Sequence, residues 1–437
     1  MLSPALSFSP PTRSRFPVQN AFLLFFSGAM LVVSLACAGR QSPGRGPVLY
    51  AESGQTLKQL VDSLPVTGGT VVLGPGTWAS GYTPAEVLSK PNITIPGSGM
   101  PAFNSDFTAM TGGTIVLAPF NVSSGADFLI VRDLGVDAGQ SYIDLNNGGI
   151  AMDAFAIFNK GQVLGAAPVQ SPIIENVSCL GSSPTAAVHC MLVENVNNAY
   201  VHNVQTVMNQ HGLVLKGTNS KVDGVFARGH GIDSVIVKSD AYAPAAHDTL
   251  LNIATTPLKF AGDTKGIVII GVGAAVSDID ISHVSINSPL AWGVYVQGAS
   301  ATTSATRIIL SNIVVDYPGG SPTDEYCMQF VQYVNSVTIQ NLNCLSMWIG
   351  IAPYLPDSNF FTDFTVVNSH FRNVATDAID TYGSWNILNS RFISIAGNGI
   401  VNPYGVTAVS GNTFLNIGGS DMLSTGGTFV ESKGTTP

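Results

Sequence analysis

The sequence predicts an all-β chain wound as a parallel solenoid, and three observations carry that expectation. Charged residues make up only 10% of 437 residues and hydrophobic residues 45%, with 46 glycines. That balance favours β-branched strands and tight turns over helices. Three apolar stretches then align without gaps: His189-Cys190-Met191-Leu192-Val193-Glu194-Asn195, His211-Gly212-Leu213-Val214-Leu215-Lys216-Gly217 and Asp233-Ser234-Val235-Ile236-Val237-Lys238-Ser239, each 22 residues after the last. A period in the twenties marks a solenoid whose turns stack on one another. Finally, an apolar-x-apolar-x-Asn-apolar motif returns at 173–177, 200–204, 309–313, 337–342 and 385–390. Its constant strands and variable spacing fit coils with loops of unequal length.

In chain order, the first element is a leader. Arg13 and Arg15 precede an apolar run over 21–36, and Ala36-Cys37-Ala38 has the small-x-small pattern of a signal-peptidase site. Residues 1–38 therefore read as a secretion signal and 39–52 as a linker. The alternative is an uncleaved anchor, but the run is shorter than the ~20 residues a span needs and Gly28 interrupts it. No span is expected in the mature chain, which is read as secreted, cell-surface or periplasmic. Cys37 after Ser34-Leu35-Ala36 keeps a lipoprotein reading open. Loss of Arg13 and Arg15 with the leader lowers the formal net charge by two, from −9 to about −11. Such a chain has no general attraction for nucleic acid, so local cations must hold any anionic ligand. Four cysteines remain: Cys179, Cys190, Cys327 and Cys344. Two disulfides suit an exported protein, buried thiols suit the inside of a coil, and the spacing suits no metal site.

Residues 53–437 read as one solenoid domain. Leu57, Leu60, Val61 and Leu64 fall on one helical face, Thr56 with Gln59 makes a capping box, and Pro65 stops the helix. A short helix there would cover the open end of the first coil. Gly68-Gly69-Thr70-Val71-Val72-Leu73-Gly74-Pro75-Gly76-Thr77-Trp78 predicts a strand and a turn, and Lys90-Pro91-Asn92-Ile93-Thr94-Ile95-Pro96-Gly97 another strand. These two segments resemble the entry of right-handed parallel β-helix proteins of the pectate-lyase-like superfamily. The resemblance implies a right-handed parallel β-helix of about eleven to twelve coils with an N-terminal capping helix. It implies no single reaction, because that fold carries lyases, hydrolases, epimerases, esterases and non-catalytic parts.

The recurring Asn suits a corner, where it tolerates the left-handed conformation and its amide can bond the Asn of the next coil. The resemblance places that corner between sheets two and three and makes the 189, 211 and 233 segments sheet one, whose outer face carries the substrate groove in such proteins. Two polar columns then flank the expected groove: His189/His211/Asp233 and Glu194/Lys216/Lys238. Strand alternation sends Leu213, Leu215, Val235 and Val237 inward and Val214, Lys216, Ile236 and Lys238 outward. Cys190, Gly212 and Ser234 share the outward parity and are small enough to leave room for a ligand.

Two ammonium groups one strand spacing apart repel, so one loses pKa or both find an anion. A uronate-containing polysaccharide would supply carboxylates. β-Elimination needs a cation to neutralise the carboxylate, a base for the C5 proton and an acid for the leaving oxygen. Lys216 or Lys238 suits the base, His211 or His230 the acid or base, and Arg228 a carboxylate clamp. Asp233 is a further candidate, with Glu194, Asp240, Tyr295 and Gln297 as substrate contacts. The plainer reading pairs Lys216 and Lys238 with Glu194 and Asp240 in a stabilising ladder. The Asp240–Asp248 insert would form a groove wall.

Gly229-His230-Gly231 also resembles polygalacturonase-type hydrolases, but the acidic motifs those carry upstream are missing. Were hydrolysis the reaction, Asp233, Asp240, Asp377 and Asp380 would be its acids, acting as a pair. The third reading is a non-catalytic glycan-binding or surface protein. Calcium is open by resemblance, without an acidic cluster to hold it. The expected partner is a polysaccharide, and the chain is read as a monomer.

Overall fold

The structure is a computed structural model. It describes residues 46–83, 86–138, 154–157, 163–181, 189–208, 210–256, 265–289, 291–318, 322–354 and 361–431, all within the compact unit Gly44–Pro437. The leader over 1–38 and the Cys37 lipoprotein site lie outside the described residues.

The chain is a right-handed parallel β-helix. Among the described strands, every pairing in the large sheet is parallel, and each strand bonds to the strand one turn before and one turn after it. Parallel strands joined by crossovers take the right-handed sense. Part of the expected linker belongs to this ladder, because Val48–Tyr50 pairs in parallel with 70–72. The Leu57–Ser63 helix begins with the expected capping box: Gln59 N–H donates to Thr56 Oγ1 (3.2 Å) and Thr56 N–H donates to Gln59 Oε1 (2.9 Å). Its last carbonyls are closed by a residue whose role the sequence reading did not assign. Lys90 Nζ donates to the carbonyls of Val61, Asp62 and Leu64 at 2.8–2.9 Å. A cation there also suits the negative end of the helix dipole.

The inward parity holds. Leu213, Leu215, Val235, Val237, Ile267 and Ile269 are all 0% exposed. Each such burial contributes about 1.5–3 kcal/mol against its exposed state. Towards the C-terminal coils the interior becomes aromatic, with Phe364 on Trp385 at 4.3 Å and Phe371, Phe392 and Phe414 stacked in file. The corners also hold: Asn176, Asn203, Asn312, Asn341 and Asn389 have φ between 49° and 54°. Asn203 Nδ2 donates to Asn176 Oδ1 (2.7 Å), and Asn341 Nδ2 to Asn312 Oδ1 (3.0 Å).

Two readings are corrected here, and the open question of the cysteines is answered. Cys190, Gly212 and Ser234 do not face the groove; all three are buried, and the ladder pairs the residues on either side of each but not these three, so the alternation is interrupted there. Cys190 is bonded to Cys179, while Cys327 and Cys344 are buried free thiols. A Cβ on Gly212 would stand 2.3 Å from the Ser234 carbonyl oxygen and 2.8 Å from His230 Nε2, so only glycine fits. The Asp240–Asp248 insert is not a free wall. Asp240 Oδ1 accepts from the N–H groups of Tyr242 and Ala243, and Ala245–Ala246 joins the ladder beside Thr218 and Val276.

Candidate functional site

The outward face of sheet one carries three columns. The first runs His189, His211, Asp233, Lys265, Trp292, Tyr326, in direct register. The central one runs Leu192, Val214, Ile236, Val268, Tyr295, Gln329, Ala352, and reaches Asp380 because Ile351 pairs with Ile379. The third begins Glu194, Lys216, Lys238 and continues through Ile270, Gln297, Val331 and Tyr354. Stacked strands put successive members about 4.8 Å apart.

The two lysines have separate fates. Lys216 Nζ contacts Glu194 Oε2 closely and Asp240 Oδ2 at 3.0 Å. Burial works to lower its pKa, but Glu194 and then Asp240 outweigh that, and the pKa ends raised. Asp240 is pulled the opposite way: burial opposes, yet the Lys216 hydrogen bond and charge and two backbone N–H groups leave it below the usual carboxylate range. Lys216, Glu194 and Asp240 are thus a closed ion triad, not free groups awaiting substrate. Lys238 has no ion pair or hydrogen bond among the described residues. Burial first and the Lys216 charge second lower its pKa, with Asp240, Glu194 and Asp233 only partly opposing them.

Across the face, Asp233 stands between an imidazole and an ammonium group. His211 Nδ1 lies 3.0 Å from Asp233 Oδ2, and Lys265 Nζ lies 3.4 Å from Asp233 Oδ1. Lys265 also sits over the Trp292 ring at 4.8 Å and near the Tyr295 ring at 5.8 Å. His189 stacks on His211 at 5.2 Å. Tyr295 O–H donates to Gln297 Oε1 (3.0 Å), and burial followed by the Asp233 charge raises the phenol pKa. Lys265 was missed by the sequence reading. Lys265-Gly266-Ile267-Val268-Ile269 repeats the pattern of Asp233-Ser234-Val235-Ile236-Val237, but 32 residues on instead of 22, so a fixed period passes over it.

Two candidates leave the site. His230 is 1% exposed inside the coil, its Nε2 lying 2.9 Å from the Thr206 carbonyl oxygen and 3.1 Å from Thr206 Oγ1. Arg228 ends the Lys221–Arg228 strand, which belongs to another ladder, and its guanidinium covers the Phe107 ring at 3.9 Å. Gly229 and Gly231 around His230, and the strand end at Arg228, gave no warning of either outcome.

The face is not open along its whole length. Leu192, Val214, Ile236 and Val268 are 1–6% exposed although they point outward. Access begins at the partly exposed Lys238, Lys265 and Tyr295 and continues to Tyr354, which is 56% exposed. Further along, Asp380 Oδ1 is buried without a hydrogen-bond partner among the described residues. Burial and then the charge of Asp377 raise its pKa to about 7. Asp377 itself is engaged, its Oδ1 accepting from Asn398 N–H and Nδ2, so the two do not form a free acid pair. No group of three or more metal-ligating side chains occurs among the described residues.

No protein-family model and no curated protein sequence matches the chain. Solved structures do. The catalytic domain of a GH87 alpha-1,3-glucanase in complex with nigerose has a TM-score of 0.53 at 14% identity, over 90% of this chain and 70% of that one. PfbA, a surface adhesin of Streptococcus pneumoniae, has a TM-score of 0.51 at 13% identity, over 84% and 87%. The A-module of the Azotobacter vinelandii mannuronan C-5 epimerase AlgE6 has 0.49 at 13%, over 84% and 92%. At such identities the likeness speaks for the fold alone.

Proposed function

We propose that this chain is a secreted polysaccharide-active enzyme that cleaves a uronate-containing chain by β-elimination on the open part of sheet one. The carrying observation is Lys238: an ammonium group without a partner among the described residues, its pKa depressed by burial and by the neighbouring Lys216 charge, on the same outward face as Lys265 and His211. A depressed pKa leaves more of the amine neutral, which is the form a general base needs. Lys265, partly engaged by Asp233, neutralises the uronate carboxylate and so acidifies the adjacent C5 proton. Lys238 takes that proton, the C–H electron pair becomes the C4=C5 double bond, and the C4–O bond breaks with its own pair. The leaving oxygen takes a proton from imidazolium His211, which Asp233 steadies. Tyr295 is a poorer acid for that step because its O–H already serves Gln297, so it acts as a wall for the sugar ring.

Hydrolysis by paired acids has less support. Asp233 and Asp240 are held by cations, and Asp377 by Asn398. A known glucanase and a known adhesin share the architecture, so fold does not separate enzyme from binder. The experiment is depolymerisation of a uronan panel, read by the ultraviolet absorbance of the unsaturated product and in parallel by reducing ends. Absorbance that Lys238→Ala abolishes supports elimination at this site. Reducing ends without absorbance would move the reaction to hydrolysis, and silence in both assays with retained binding would make the groove a glycan-binding surface.

A further inference from the structure

The open face ends in chemistry that the elimination site does not use. Asp380 occupies the central column, beside Ala352 on one side and paired with Val401 on the other. Ala352 and Val401 offer it no polar group, and its buried Oδ1 has no donor among the described residues. A carboxylate oxygen left without a donor in this way favours the protonated form, while the residue as a whole stays partly exposed on the face. The surroundings are phenolic. The Asp380 charge reaches Tyr326 two strands earlier and Tyr382 on its own strand, while Tyr354 closes the third column. The other charges facing this stretch are acidic: Asp377 beside Asp380, and Asp324 beside Tyr326. No cation contacts Asp380 among the described residues. This end of the face is therefore hostile to an anion, whereas the Lys238–Lys265 end needs one.

We propose that Asp380, with Tyr326, Tyr354 and Tyr382, forms a second subsite that takes an uncharged sugar unit by donating a hydrogen bond from its protonated carboxyl. This rests on the reading of the open face as a polysaccharide site, and it narrows the substrate. From Tyr295 to Asp380 is three strand spacings, and from Lys265 four, or roughly 14–19 Å along the groove. A bound chain then carries a carboxylate at the lysine end and a neutral residue a few units away. A homo-uronan sets a carboxylate against Asp380 in every register; a heteropolysaccharide that mixes uronate and neutral sugars presents a neutral unit there in some registers. With its pKa near 7, the carboxyl keeps the donating form below neutrality and loses it above.

The test is calorimetric binding of size-matched oligosaccharides to the full-length protein. The probes are hyaluronan and chondroitin fragments, in which uronate and neutral units alternate, against oligogalacturonate and oligomannuronate. Each is titrated at about pH 5.5 and about pH 8.5, on either side of the carboxyl's transition. The expected result is preference for an alternating chain at the lower pH, weakened about tenfold at the higher pH, the size of one lost hydrogen bond. Asp380→Asn, neutral at both values and still a donor, retains binding at both; Asp380→Ala weakens it about tenfold at both. Preference for a homo-uronan, or Asp380→Asn and Asp380→Ala both behaving like the parent at both pH values, would overturn the proposal, as would no binding by any probe. Cleavage with an indifferent Asp380 sinks the subsite and spares the elimination reading. Asp380-dependent binding without cleavage does the reverse.

Discussion

Replacing Lys216 by methionine separates a structural lysine from a chemical one. The substitution keeps the length and apolar stem of the side chain and removes the charge. Glu194 and Lys216 side chains are 8% and 11% exposed, and Asp240 is 18% exposed. Removing the cation strands a nearly buried carboxylate, a change that costs about 3–5 kcal/mol. Partial exposure of Asp240 places the expectation at the lower end of that range. In a solenoid each coil bonds only to its neighbours, so the loss should appear locally. Native-state hydrogen exchange reports it directly: amides in the His189–Asn197, His211–Thr218 and Asp233–Ser239 strands should exchange roughly two decades faster or more, while the C-terminal coils hold their rates. Lys238→Met is the control. It removes a repelled, partly desolvated ammonium, so exchange should change little while cleavage is lost. Unchanged exchange in Lys216→Met, with activity lost as in Lys238→Met, would refute the division of labour between the two lysines.

Other consequences follow from single groups. Asp248 has its pKa raised by burial to about 8, against an ordinary value near 4, with Ser220 N–H only partly offsetting this. The folded chain then binds more protons than the unfolded one across that interval, so stability falls as pH rises from about 4 to about 8 and levels off above. Asp248→Asn should flatten that fall in a urea-midpoint series; an unaltered slope would contradict the buried-acid assignment. Gly212→Ala should cost on the order of 1–3 kcal/mol through its clash with the Ser234 carbonyl and His230, read by thermal unfolding, with a neutral result excluding the close approach. Lys90→Met should release three carbonyls at the end of the Leu57–Ser63 helix, so proteolytic nicking near 62–66 should rise before global unfolding does. Lys265→Ala should raise KM for a uronate chain as well as lower kcat; a pure kcat loss would move it away from carboxylate binding.

Where local chemistry is repetitive, the reading from residues alone was sufficient. The Asn corners, the capping box, the inward parity of Leu213 and Val235, and the registers His189–His211–Asp233 and Glu194–Lys216 all follow from short-range preference repeated at a fixed interval. Where the chain departs from that interval, reading failed. Lys265 was passed over because its coil is longer, and Asp380 could be named as an acid but not placed in the same column as Tyr295.

The amino-acid sequence by itself determined the parallel β-helix, because alternation, period and corner residues are properties of one coil that each turn repeats. It also placed residues in one column wherever the 22-residue interval holds, as for His189, His211 and Asp233, but not where a coil is longer. Which members of a column are free was decided only by tertiary structure. His230 turned inward, Arg228 went to Phe107, Lys216 was closed by Glu194 and Asp240, and Lys238 was left open. The physical reason is that partnership and burial depend on what distant segments bring alongside, and a carboxylate or ammonium reads the same in sequence whether or not its partner arrives.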